Sequence, residues 1–106
     1  MTKLDKETIE AYEAAGAKRW TIGEYDRLYI SIELLGLKCW YYNSGNVSSA
    51  EWCGDEISNA NARRILASKV YVDVSTGQLH VNADVRWQDD IESKAREFVS
   101  KCLADE

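Results

Sequence analysis

The chain holds one histidine, His80, so any acid–base or nucleophilic scheme must run through it or do without it. The alternation of residue types around it predicts a hairpin register that sets His80 across from Asp73, with Asp84 on the same outer face. A carboxylate beside an imidazole orients it for proton transfer, and one histidine with two aspartates is also a donor set for a divalent cation. No nucleophile joins them, and on an open strand face an exposed cross-strand charge pair is the simpler reading. The three cysteines, Cys39, Cys53 and Cys102, lie too far apart for a zinc or redox motif. Cys39 and Cys53 would pair only if their strands were neighbours, and a reduced cytosol argues against the bond. Cys102 reads as a small core hydrophobe. The six glycines stand singly at turns and helix ends, so no loop can cradle a phosphate. The expectation is a chain with no catalytic residue, no metal and no cofactor.

Its aromatic residues point elsewhere. Four tryptophans and six tyrosines stand against one phenylalanine, a bias toward rings with an apolar body and a polar tip. Trp, Tyr and Arg also dominate the binding energy of protein interfaces. Trp40, Tyr41 and Tyr42 are consecutive, and one strand face cannot bury all three. They precede Asn43-Ser44-Gly45-Asn46, a turn signal, and a second strand carrying Glu51 and Trp52. The expected site is therefore a protein-binding patch with Trp40, Tyr41, Tyr42 and Trp52 as anchors. Glu51, Asp55 and Glu56 would meet basic residues of the partner. Trp20 and Trp87, near element ends, are expected to act as lids on the core. A second class of function is nucleic-acid binding through Arg19, Arg27, Arg63 and Arg64 with exposed rings for stacking. A net charge of −5, from 18 acidic and 13 basic residues, disfavours general attraction to nucleic acid or anionic membrane. A small enzyme centred on His80 is the third.

These residues need elements to position them. The spacing predicts a helix over 2–15, with Thr2 and Asp5 as a capping box and Gly16 as its stop. Leu4, Ile9, Tyr12 and Ala15 form its inner stripe. Strands follow over 18–23 and 26–32, around Gly23, and over 38–42 and 47–53. The stretch 31–37 suits either a strand or a short helix. Ser58 or Asn59 should cap a helix reaching Ala67. Val70, Val72 and Val74 alternate against Leu79, Val81 and Ala83 across Ser75-Thr76-Gly77-Gln78, a strong hairpin signal. A last helix, opened by Asp89 or Asp90, repeats Ile91, Ala95, Phe98, Val99, Cys102 and Leu103 on one face. The order α-β-β-β-β-α-β-β-α implies one α+β domain over 1–106: an antiparallel sheet built from hairpins, with three helices in a single layer on one face.

Three blocks carry a resemblance. They are Lys18-Arg19-Trp20 with Asp26-Arg27-Leu28-Tyr29-Ile30, then Tyr42-Asn43-Ser44-Gly45-Asn46, then Lys69-Val70-Tyr71-Val72-Asp73 with Thr76-Gly77. Together they resemble the small, acidic, tryptophan-rich accessory proteins of bacteriophages and mobile elements, among them anti-CRISPR proteins and other inhibitors of bacterial defence. The resemblance implies a stoichiometric inhibitor that blocks a host nuclease complex by occupying a surface. No apolar run approaches the roughly 20 residues that span a bilayer, so no membrane role and a cytoplasmic location in a bacterial host are expected. Homodimerisation through an exposed sheet edge fits each class of function.

Overall fold

The computed structural model describes residues 3–104. Its first helix, α1 (Lys6–Ala14), starts at Asp5, whose carboxylate accepts the Thr8 backbone N–H at 2.8 Å. Hydrogen bonding to the Thr8 side chain and then to its backbone N–H holds the Asp5 carboxyl below its ordinary range. The expected cap partner, Thr2, lies outside the described residues. The helix stops where the glycine predicts. Gly16, at φ +110°, lets its own N–H reach the Glu13 carbonyl and the Ala17 N–H reach that of Tyr12, a Schellman closure. Ala17 is buried and Ala15 is not, so the inner stripe runs Thr8, Ile9 and Tyr12 and then jumps to Ala17. A Cβ on Gly16 would sit 3.0 Å from a Leu34 methyl at a backbone angle L-residues avoid. Gly16→Ala should therefore cost about 1–3 kcal/mol, read as a fall in the urea midpoint at unchanged slope.

A tight Gly23-Glu24 turn joins β1 (Lys18–Ile22) to β2 (Tyr25–Tyr29), with Ile22 opposite Tyr25. Arg19 and Asp26 close the hairpin in a two-toothed contact at 2.9 and 2.7 Å. The guanidinium holds the Asp26 carboxyl below its usual range. A lowered folded-state pKa adds stability that is present above the unfolded value and lost as pH falls through the folded one. Asp26→Asn should therefore lower the urea midpoint slightly at neutral pH, as suits a half-exposed pair. The difference should vanish in acid; a gap that persists there would mean that Asp26 acts through something other than its charge.

The ambiguous stretch resolves as a one-turn helix, α2 (Ile32–Leu35), ended by Gly36. Three strands follow as a meander: β3 (Leu37–Tyr41), β4 (Val47–Trp52) and β5 (Asp55–Ile57). The third was not legible, because three residues are too few to show a period. The Ser58 hydroxyl accepts the Asn61 N–H at 3.1 Å to cap α3 (Asn59–Leu66). The Asn59 side chain donates to the Val47 carbonyl, tying this helix to β4. The strands β6 (Lys69–Asp73) and β7 (Leu79–Asn82) form the expected hairpin. Helix α4 (Gln88–Ala104) begins one residue before Asp89. The Gln88 side chain clamps it to β7, accepting from Ala83 and donating to Val81.

Among the described residues the order is thus α-β-β-α-β-β-β-α-β-β-α, an α+β fold. The single expected sheet is corrected to two antiparallel ones, β1-β2-β6-β7 and β3-β4-β5, and three helices become four. The larger sheet is joined by the long-range pairing of β2 with β6, Leu28 opposite Val72. Helices α1 and α4 pack together over the face that buries Leu28, Val70 and Val72. Ile91 and Ala95 of α4 are fully buried there, whereas Leu103 stays exposed. The smaller sheet lays Val47 and Ala50 on Ala62 of α3. Leu37 and Trp52 join it to the main core.

Candidate functional site

The smaller sheet positions three of the expected contact residues together. Register sets Trp40 opposite Ser49, Lys38 opposite Glu51, and Glu51 opposite Glu56. The tight Cys53-Gly54 turn, with both residues at positive φ, fixes that last pairing. These side chains share the phase opposite to Ala50 and Trp52, which α3 and the core cover. Trp40, Glu51 and Glu56 line a shallow depression of about 450 Å³ floored by Ser48, Ser49 and Ala50. Trp40 is 45% exposed at its edge.

The other expected anchors part company. An irregularity between Trp40 and Tyr41 interrupts the pairing, and Tyr41 lies opposite Val47 on the other phase, beside Cys39. The Cys39 thiol, with some burial, pushes the Tyr41 phenol above its ordinary value. Tyr42 sits in the turn, its N–H donating to Asn46. Both tyrosines are exposed, but neither shares the Trp40 face. Asp55, opposite Trp52, is exposed at the turn end, out of phase with Glu56. Trp52 is a correction: only 6% exposed and packed in the main core, it offers no surface to a partner.

The larger sheet carries a surface of which the hairpin register showed one half, Lys69, Tyr71 and Asp73 on one face with His80, Asn82 and Asp84, and to which the structure joins β1 and β2. On the face away from α1 and α4, register aligns Lys18, Tyr29, Tyr71 and His80 in one row across all four strands. A second row sets Trp20 beside Arg27 and Asp73. The Arg27 guanidinium lies 4.3 Å from the Tyr71 ring centroid and 4.6 Å from that of Tyr25, and donates to the Tyr29 hydroxyl at 3.2 Å. That hydrogen bond and the surrounding phenols hold Arg27 charged. Its buried Nε has no hydrogen-bond partner among the described residues, so the rings keep this cation in place at a local cost. Trp20, expected as a core lid, is 56% exposed here. Trp87 does pack against the core. The signal was present: Tyr25, Arg27 and Tyr29 recur every second residue, as do Lys69, Tyr71 and Asp73. Period 2 shows that such residues share a face, but not that the two strands would be neighbours.

His80 is part of this row, stacked on Tyr71 at 4.8 Å and 15° between planes. The expected His80–Asp73 pairing is corrected, since Tyr71 stands opposite His80 and Asp73 opposite Arg27. The Asp73 and Asp84 carboxylates each accept a backbone N–H of their own turn, from Ser75 and Arg86. Among the described residues no group of three or more His, Cys, Asp or Glu side chains could hold a metal ion. The three cysteines are free thiols; β3 and β4 are neighbours, but Cys39 faces Ala50 and Cys53 lies in the turn. Burial pushes the Cys53 thiol up. Of the four arginines named for nucleic acid, Arg27 alone lies on the ring face. Arg19 is held by Asp26, and Arg63 and Arg64 belong to α3, with Arg64 bonded to Asn61. No described helix is long and apolar enough to cross a membrane. No family model, no curated protein and no solved structure matches the chain.

Proposed function

We propose that this chain is a non-catalytic protein-binding module that seats a basic segment of its partner on the outer face of β3-β4-β5. The observation that carries this reading is the register placing Glu51 directly opposite Glu56 beside the half-exposed ring of Trp40. Like charges directly opposite one another destabilise a sheet. Lys38, across from Glu51, offsets part of that repulsion; a lysine or arginine from a partner would offset the rest beside Glu56 and lie against the tryptophan ring, a favoured resting place for a cation. Proteins that grip phosphate backbones carry such basic surfaces. This chemistry therefore suits the role implied by the resemblance to anti-CRISPR proteins: a stoichiometric inhibitor, working in the cytoplasm of a bacterial host, that occupies a surface of a defence nuclease complex.

The test is capture of partners from a bacterial lysate carrying several defence systems, before and after nuclease treatment, with wild type and Trp40→Ala in parallel. A stoichiometric protein that survives nuclease and is lost with Trp40→Ala supports the reading. A partner retained equally by both chains rules this face out.

A further inference from the structure

We infer that the opposite sheet, through the uncovered face of β1-β2-β6-β7, binds single-stranded nucleic acid. This goes beyond the protein-binding reading and rests on a different surface. Three observations converge on that ligand. The first is planar rings in register: Tyr29 lies 5.4 Å from Tyr71 and Tyr71 stacks on His80, while Trp20 and Tyr25 offer more than half of their surface beside them. An open antiparallel sheet that displays rings in this way stacks about two or three unpaired bases. Base pairs inside a duplex hide those faces, so the ligand must be single-stranded.

The second is charge. The chain is acidic at −5, but this face gathers Lys18, Arg27 and Lys69 against two carboxylates, Asp73 and, beside Lys69, Asp84, which are committed to the Ser75 and Arg86 N–H groups at 2.9 Å. The face is locally cationic on an acidic body, the complement of a phosphate backbone. The third is shape. At the Lys18 end of the ring row the sheet opens into a cleft of about 510 Å³. Lys18, Lys69 and Tyr29 line it with the hydroxyl-bearing Ser31 and Ser68, and Glu33 is its only acidic lining residue. Arg27 and His80 occupy the Tyr71 ring, so a strand crossing the face would lay its bases on the exposed rings of Trp20 and Tyr25 that flank the row and its phosphates toward Lys18 and Lys69. An acidic peptide would satisfy the charges and leave the rings without planar partners. Stacking does not distinguish ribose from deoxyribose, so both sugars are accepted.

The test is fluorescence anisotropy of labelled oligothymidine and oligouridine titrated with the full chain, from about 20 mM to about 200 mM salt. Binding at low salt is expected, weakening as salt rises and insensitive to duplex competitor. Trp20→Ala removes an exposed ring and should weaken binding about fivefold or more. Lys69→Glu should weaken it more than Lys101→Glu, which makes the same charge change at an exposed position on α4. All three sites are exposed, and circular dichroism checks that each variant is folded. No binding of either oligomer at low salt overturns the inference. Equal losses for the two lysine variants with none for Trp20→Ala would reduce the effect to net charge and also overturn it. Displacement by polyglutamate as readily as by oligothymidine would assign the face to an acidic protein segment instead.

Discussion

Trp52→Ala is expected to destabilise the protein by about 3–5 kcal/mol, the cost of emptying a large buried aromatic site. That is a large share of the 5–15 kcal/mol typical of a folded domain, so the variant should be partly unfolded near physiological temperature. The expectation rests on position: Trp52 is 6% exposed, lies opposite Leu37 at the end of β4, and belongs with Leu37 to the main core. It joins the three-stranded sheet to the body of the protein, so its loss should loosen β3-β4-β5 before the α1/α4 layer. Urea unfolding followed by circular dichroism measures the total, and hydrogen exchange resolves which sheet opens first. A cost below about 1 kcal/mol would place Trp52 at the surface, where substitutions usually change stability by less than about 0.5 kcal/mol.

Trp40→Ala should do the reverse, leaving stability nearly unchanged and removing about 2 kcal/mol or more of partner affinity, the scale of an interface hot spot. Its ring is 45% exposed and borders the depression shared with Glu51 and Glu56, so truncation opens no cavity in the core. Glu56→Gln provides a companion measurement with two signs. It relieves the carboxylate opposition with Glu51 and should stabilise the free chain by a few tenths of a kcal/mol. The same change should slow association with a basic partner and flatten its salt dependence. Stability gained where affinity is lost would mark the glutamate pair as kept for binding. If affinity in both variants stays within about 0.5 kcal/mol of wild type, well short of a hot spot, the contact lies elsewhere on the chain.

Local features were legible in the order of residues, because their causes are local. Gly16 stops α1 through its positive φ, Ser58 caps α3 with its hydroxyl, and the alternating valines set β6 against β7. That at least one of Trp40, Tyr41 and Tyr42 would be exposed was also legible, since three consecutive rings cannot share one buried face; that all three are exposed was not. The acidic pair followed in part: Glu51 and Glu56 stood out as acids, but their opposition depends on the Cys53-Gly54 turn and on β5, a strand too short to show a period. The tertiary structure alone decided which tryptophan is buried. Trp20 and Trp52 both lie on strands, yet α1 and α4 cover the other face of the first strand's sheet while the core closes over Trp52. It alone decided that β2 would meet β6, which brings Arg27 between Tyr25 and Tyr71 and lines up Lys18, Tyr29, Tyr71 and His80. Period 2 assigns residues to a face of one strand; which strands become neighbours is set by pairing between residues more than forty positions apart, and which face is covered by the packing of α1 and α4 against it.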